Sequence, residues 1–152
     1  MAPIKITRFN PRNDMDDLLA LIDDFEYRVG EIDLNAVKEQ IKARNKDLKL
    51  RNSMIIAKEA SKIVGAGFFS LWKDFLGKSH CIVHDVVTRK ENAFKKGIEE
   101  KILRELFQYL KKTMKINKVY LFADKKGDSN LKSVFMKLGI KKGTREYYEH
   151  EL

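Results

Sequence analysis

Apolar residues recur at two periods along this chain, and each change of period marks a boundary between elements. Ile4 and Ile6 alternate with polar neighbours ahead of Phe9, and Pro11 ends the run, so residues 4–9 read as a strand. Leu18, Leu19, Leu21, Ile22 and Phe25 then fall at helical spacing. Asn13 or Asp14 can cap this helix, and Asp16 and Asp17 sit near its positive end. After Gly30, Asp33 is the cap of a second helix carrying Leu34, Val37, Ile41 and Leu48. That stripe is thin and its other faces are charged, which predicts a surface helix.

The period then drops to two. Residues 54–58 (MIIAK) and 62–72 (KIVGAGFFSLW) are β-rich runs separated by Glu59-Ala60-Ser61, the pattern of a hairpin. Gly65 and Gly67 inside the second run mark either a bulge or the close approach of another group. A turn over residues 73–78 returns the chain into a strand at 80–88, which gives three consecutive antiparallel strands. A helix is predicted over 98–112, with Ile98, Ile102, Leu106 and either Tyr109 or Leu110 inward and a Glu100–Arg104 pair outside. Residues 119–123 (VYLFA) form an apolar run of the kind buried on both faces of a sheet. Asp128 or Ser129 starts a helix that ends at Gly139, a natural left-handed cap. Residues 147–152 complete the series as a last strand. The order is β-α-α-β-β-β-α-β-α-β, an α/β (α+β) chain with a mixed, mostly antiparallel sheet flanked by helices.

Composition narrows the class. A chain of 152 residues with 43% hydrophobic residues, nine Phe and five Tyr is expected to fold as one domain over 1–152. No apolar run approaches the ~20 residues that cross a bilayer, and the first residues lack the apolar core of a secretion signal, so no membrane association and a cytoplasmic location are expected. Cys81 is the one cysteine and has no intramolecular partner. The net charge of +9 favours anionic partners, whether a phosphorylated cosubstrate or nucleic acid.

The centre of the chain is strand 80–88, a basic loop, and a helix that opens at Gly97. A helix N-terminus of this kind offers unpaired amides and a positive dipole end to a phosphate. This order of elements resembles the GCN5-related N-acetyltransferase family, whose central motif is a strand followed by a loop Arg/Gln-x-x-Gly-x-Gly/Ala. The matching segment is Phe94-Lys95-Lys96-Gly97-Ile98-Glu99, which keeps the middle glycine. The family's C-terminal signature is similar to the stretch from Asp128 to Phe135-Met136-Lys137-Leu138-Gly139. The resemblance implies acetyl-CoA as cosubstrate, with its pyrophosphate on the amides of Phe94, Lys95, Lys96, Gly97, Ile98 and Glu99. It further implies contacts at Asp128 and Phe135, and a thioester carbonyl polarised by the amide of Val86, Val87 or Thr88. Asp128 stands where the family usually has Asn, and Phe135 where it often has a tyrosine acid. Glu99 places a carboxylate in the first turn, where it would compete with an anion, or would serve only as an ordinary partner of the helix dipole.

Amine acetylation needs a group that removes a proton from an ammonium. His84 and Asp85 occupy the strand position where family members often carry a base, and strand alternation sends them to opposite faces. Tyr147 and Tyr148 are candidates for the missing phenol, one of the two expected in the core. His80, Cys81 and His84 do not form a metal site on a strand, because His80 and His84 would stand ~13 Å apart with Cys81 on the other face. Trp72, Phe68, Phe69 and Phe75 interleave with Lys73 and Lys78 and are expected in the sheet core, with stacking on nucleic acid the alternative.

The expected function is direct acetyl transfer from acetyl-CoA to a small-molecule or peptide amine. The alternative keeps the fold without the chemistry, as a binding or regulatory module for an acidic or nucleic-acid partner. Nucleic acid is the less favoured partner. Acidic residues at Glu26, Glu31, Asp33 and Asp74 would suit a cationic acceptor, and an exposed edge strand leaves room for a homodimer.

Overall fold

A computed structural model of the chain describes residues 2–152. It contains two compact units, one ending at Phe122 and the other formed by Ala123–Leu152. The first holds β1 (Ile4–Arg8), α1 (Met15–Asp24), a short α2 (Glu26–Val29), α3 (Leu34–Lys46), β2 (Met54–Glu59), β3 (Lys62–Lys73), β4 (Ser79–Val83), β5 (Val87–Thr88) and α4 (Ile98–Lys112). The second holds α5 (Ser129–Lys137). The sheet is antiparallel in the order β1-β2-β3-β4, with β5 also paired to β3.

Each face of the sheet is covered for a reason visible in the residues. On one side α1 and α3 lay Leu18, Leu21, Phe25 and Ile41 against Met54, Ile56, Ala66 and Val87. On the other, α4 buries Ile98, Ile102, Leu103, Leu106 and Leu110, so Leu110 and not Tyr109 faces inward. Gly65 and Gly67 explain how α4 comes so close. A Cβ on Gly65 would stand 2.6 Å from Ile98 Cγ2, and one on Gly67 2.4 Å from Ile102 Cγ2. The glycines therefore mark close approach. The ladder irregularity lies beside them, where Ala57 pairs with Gly65 and Lys58 with Ile63, which leaves Val64 as the extra residue.

Several boundaries differ from the sequence expectation. Asp33 caps α3 through the amides of Asn35 and Ala36, as expected. The helix stops at Lys46, however, and Leu48 lies outside it and is exposed. Asp14 stands at the start of α1, but its carboxylate accepts from the Asn10 amide and pairs with Lys58, so the cap is replaced by a tie to β2. Residues 119–123 contribute one parallel bridge, Ile82 to Tyr120. Tyr120 and Phe122 are exposed, so the run is not buried on both faces. Residues 147–152 form no strand and are exposed; neither Tyr147 nor Tyr148 is in a core. Trp72 (46% exposed) and Phe75 (96%) also lie outside the core, because they belong to the hairpin tip beyond the reach of the helices, whereas Phe69 is fully buried. No helix of the described residues is long and apolar enough to cross a membrane.

Candidate active site

The predicted strand 80–88 is two strands with a gap. β4 pairs with Phe69–Lys73 of β3, and β5 pairs further along, Gly65 with Thr88 and Ala66 with Val87. Between them three residues, His84, Asp85 and Val86, face only Gly67 and Phe68. The His84 amide donates to Phe68 O at 2.9 Å. The ladder then opens, and among the described residues the Val86 N–H has no hydrogen-bond partner. Val87 and Thr88 are held in the ladder.

The loop that follows is tied down by acids of α1. Asp17 accepts from Arg89 NH2 at 3.3 Å and from the Ile63 amide, and Asp24 accepts from the Lys90 amide. A single 3-10 turn, Lys90–Asn92, leads into a backbone with three left-handed residues: Phe94 (φ 57°), Lys96 (φ 59°) and Gly97 (φ 66°). Only the glycine adopts that region without strain. Phe94 N–H donates to Glu99 Oε2 at 2.7 Å, Lys95 N–H to Asn92 O and Ile98 N–H to Lys95 O. The amides of Lys96 and Gly97 have no partner among the described residues.

Glu99 is therefore neither a solvated dipole partner nor a free competitor. It is 3% exposed and closes the loop from within; burial pushes its carboxyl above the usual range, against the pull of the Phe94 and Glu99 amides. The side chain of Lys96 is also committed, since it pairs with Glu59, and its carbonyl accepts from Lys101 Nζ at 3.0 Å. The charge expected from Lys96 is thus neutralised locally.

His84 lies on the α1/α3 face, with its Nε2 2.6 Å from Ser70 Oγ. Ser70 Oγ also accepts from Arg44 NH2 at 2.6 Å, and Arg44 NH1 donates to Ser53 Oγ at 3.0 Å and to Phe69 O. Burial, then the Arg44 charge, lower the His84 pKa, while Asp85 opposes them. Asp85 is 3.7 Å from Arg28 Nε of α2, a separate contact from that of its neighbour. Tyr27, also on α2, donates to Thr88 O at 3.2 Å and lies 3.0 Å from Thr88 Oγ1; burial pushes its phenol up.

His80 bonds to Asp74 Oδ2 at 2.8 Å and stacks on Trp72 with centroids 4.3 Å apart. Cys81 is buried. In the second unit, Asp128 is buried at the start of α5 and accepts from the Asp124 amide. Phe135 is half-buried, and its carbonyl accepts from Ile140 N–H at 2.9 Å while Gly139 (φ 73°) donates to Met136 O. This is the Schellman closure expected of Gly139. Tyr148 donates to Glu146.

Tyr27, Arg44 and Ser70 were not singled out by sequence reasoning. Arg44 does carry a signal: it stands three residues after Ile41 and seven after Val37, so it continues the buried stripe of α3. Ser70 likewise continues the alternation Ala66, Phe68 on the same face of β3.

No family model and no curated protein matches this chain. Solved structures do. A possible acetyltransferase from Clostridium difficile 630 superposes with a TM-score of 0.74 at 19% identity, covering 99% of this chain and 98% of that one. The chain has the fold of the GCN5-related N-acetyltransferases. A ribosomal-protein-alanine N-acetyltransferase from Brucella melitensis biovar Abortus 2308 shares this acetyltransferase fold (TM-score 0.69, 14% identity, 98% and 99% covered). So does an aminoglycoside acetyltransferase from an uncultured soil metagenomic sample (TM-score 0.67, 20% identity, 98% and 94% covered).

Proposed function

We propose that the chain is an acetyl-CoA-dependent N-acetyltransferase that passes the acetyl group directly to an amine. The observation that carries this reading is the opening of the ladder after His84, which leaves the Val86 N–H unpaired one strand ahead of a loop whose Lys96 and Gly97 amides are also unpaired. In this fold the first suits a thioester carbonyl and the second a pyrophosphate. Val87, Thr88, Phe94, Lys95, Ile98 and Glu99 complete the cosubstrate's path as its frame; further contacts at Asp128 and Phe135 rest on the family resemblance alone.

Positioning the amine against the polarised carbonyl supplies most of the rate, and removal of the ammonium proton adds ~10²–10⁴-fold. His84 is the base of this reaction: desolvation and the Arg44 charge favour its neutral form, whereas Asp85 is engaged with Arg28. The departing thiolate is a modest base, with a thiol pKa of about 8.5. A role for Tyr147 or Tyr148 in protonating it rests on the family resemblance alone.

The neighbours' acceptors include an aminoglycoside and a ribosomal-protein alanine, both amines. For this chain a cationic amine is favoured by Glu26 and Glu31. Asp33 and Asp74 no longer support it, since the first caps α3 and the second organises its own turn and His80. Calorimetric titration with acetyl-CoA tests the reading. Saturable binding is expected, and no heat at millimolar ligand would sink it.

A further inference from the structure

We propose that Ser70 is a proton relay: its hydroxyl takes the acceptor's proton and passes its own to Nε2 of His84, with Arg44 orienting the hydroxyl. The proposal rests on the acetyl-transfer reading and assigns a role to two residues outside the family-like motifs.

The geometry is a chain of three groups. Ser70 Oγ lies 2.6 Å from Arg44 NH2 and 2.6 Å from His84 Nε2. A guanidinium can only donate, so the first contact occupies one lone pair of Ser70 and leaves its hydrogen and the other lone pair; in the proposed relay the hydrogen points to Nε2. Accepting from a cation also polarises the hydroxyl and strengthens it as a donor. Nε2 is then the acceptor and the ring proton resides on Nδ1.

Arg44 is fixed from beneath by Ser53, which is fully buried, and by the Phe69 carbonyl. Its partners are all uncharged oxygens, so its own charge remains to act on the imidazole. The charged groups that face His84 are Arg44 from α3 and Asp85 from its own segment; β3 presents the neutral Ser70. Asp85 is drawn toward Arg28 of α2.

The proton count closes. An alkylammonium N–H gives its proton to Ser70 Oγ as the Ser70 hydrogen moves to His84 Nε2. The products are a neutral amine, an intact serine and an imidazolium. The exposed imidazolium then returns one proton to solvent. No covalent bond to Ser70 forms, and no oxidant or metal takes part.

Nitrogen NMR of the full chain with labelled histidine reads the tautomer directly. The expected result is His84 with an acceptor Nε2 and a protonated Nδ1, titrating below an ordinary histidine. Arg44→Met should raise that titration, and Arg44→Lys should raise it by less. Ser70→Ala should abolish the Nε2 acceptor signature, and Ser70→Thr should restore it. A protonated Nε2 in the unaltered chain would overturn the proposal. With acetyl-CoA alone, where water is the acceptor, coenzyme release should fall at least tenfold in Ser70→Ala and recover in Ser70→Thr; equal release by Ser70→Ala and the unaltered chain overturns it as well. Acetyl-CoA affinity should be unchanged by Ser70→Ala, so loss of binding in the unaltered chain would count against the acetyl-transfer reading and leave the tautomer result to decide the relay.

Discussion

The two faces of the sheet are built to opposite rules. Toward α4 the packing on β3 is apolar, and two glycines let Ile98, Ile102 and Leu106 settle onto the β3 backbone. Toward α1 and α3 the core is equally apolar at its centre but ends in Arg44, Ser70 and His84. A polar group buried without partners is costly, so the second face can carry chemistry only because each group is bonded to the next. The difference shows which side tolerates change. The α4 face tolerates no added volume, and the α3 face no lost partner.

Adding volume to the first face should give the largest effect. Gly67→Val places atoms where Ile102 and Leu106 already lie, and overpacking of this sort costs about 1–3 kcal/mol or more. Thermal denaturation followed by circular dichroism should show a drop of at least several degrees. Removing a partner from the second face comes next: Arg44→Met strands Ser53 Oγ and the Phe69 carbonyl, at about 1–3 kcal/mol in urea denaturation. A smaller loss, about 1–2 kcal/mol, is expected for Gly97→Ala, whose φ of 66° costs any residue with a Cβ, and the same denaturation series measures it.

The buried acid of the loop gives a test in pH instead of volume. Glu99 binds its proton more tightly folded than unfolded, because burial disfavours the carboxylate. The folded chain therefore holds more protons between the ordinary glutamate pKa and the raised one, and stability falls as pH rises through that window and returns below it. Glu99→Gln keeps an acceptor for Phe94 N–H and should flatten this slope, so that melting temperatures of the two proteins diverge with rising pH. Tyr148→Phe, on an exposed side chain, should stay within about 0.5 kcal/mol of the unaltered chain.

Much of this arrangement is legible from periodicity. The strong stripe of α4 gave its limits, the Asp33 cap gave the start of α3, and the paired glycines of β3 left two readings, a bulge or a close neighbour, of which their packing against α4 selects the second. The gap at His84–Val86 was not legible, because Val86, Val87 and Thr88 are as β-prone as the residues before them, and the break comes from pairing with two separate stretches of β3. Glu99 was misread for a similar reason: its place in the first turn fits a solvated acid, and only the left-handed turn at Phe94 brings an amide to it. Arg44 and Ser70 meet across 26 positions of sequence, a distance at which no local pattern speaks.

Cys81 gives this protein a practical property. It is the chain's one cysteine, it is 1% exposed, and burial pushes its thiol up to about 11. The reactive thiolate is thus nearly absent at neutral pH while the fold is intact. A thiol-reactive dye added to the folded protein will leave Cys81 uncoloured. The same dye becomes a counter of opened molecules.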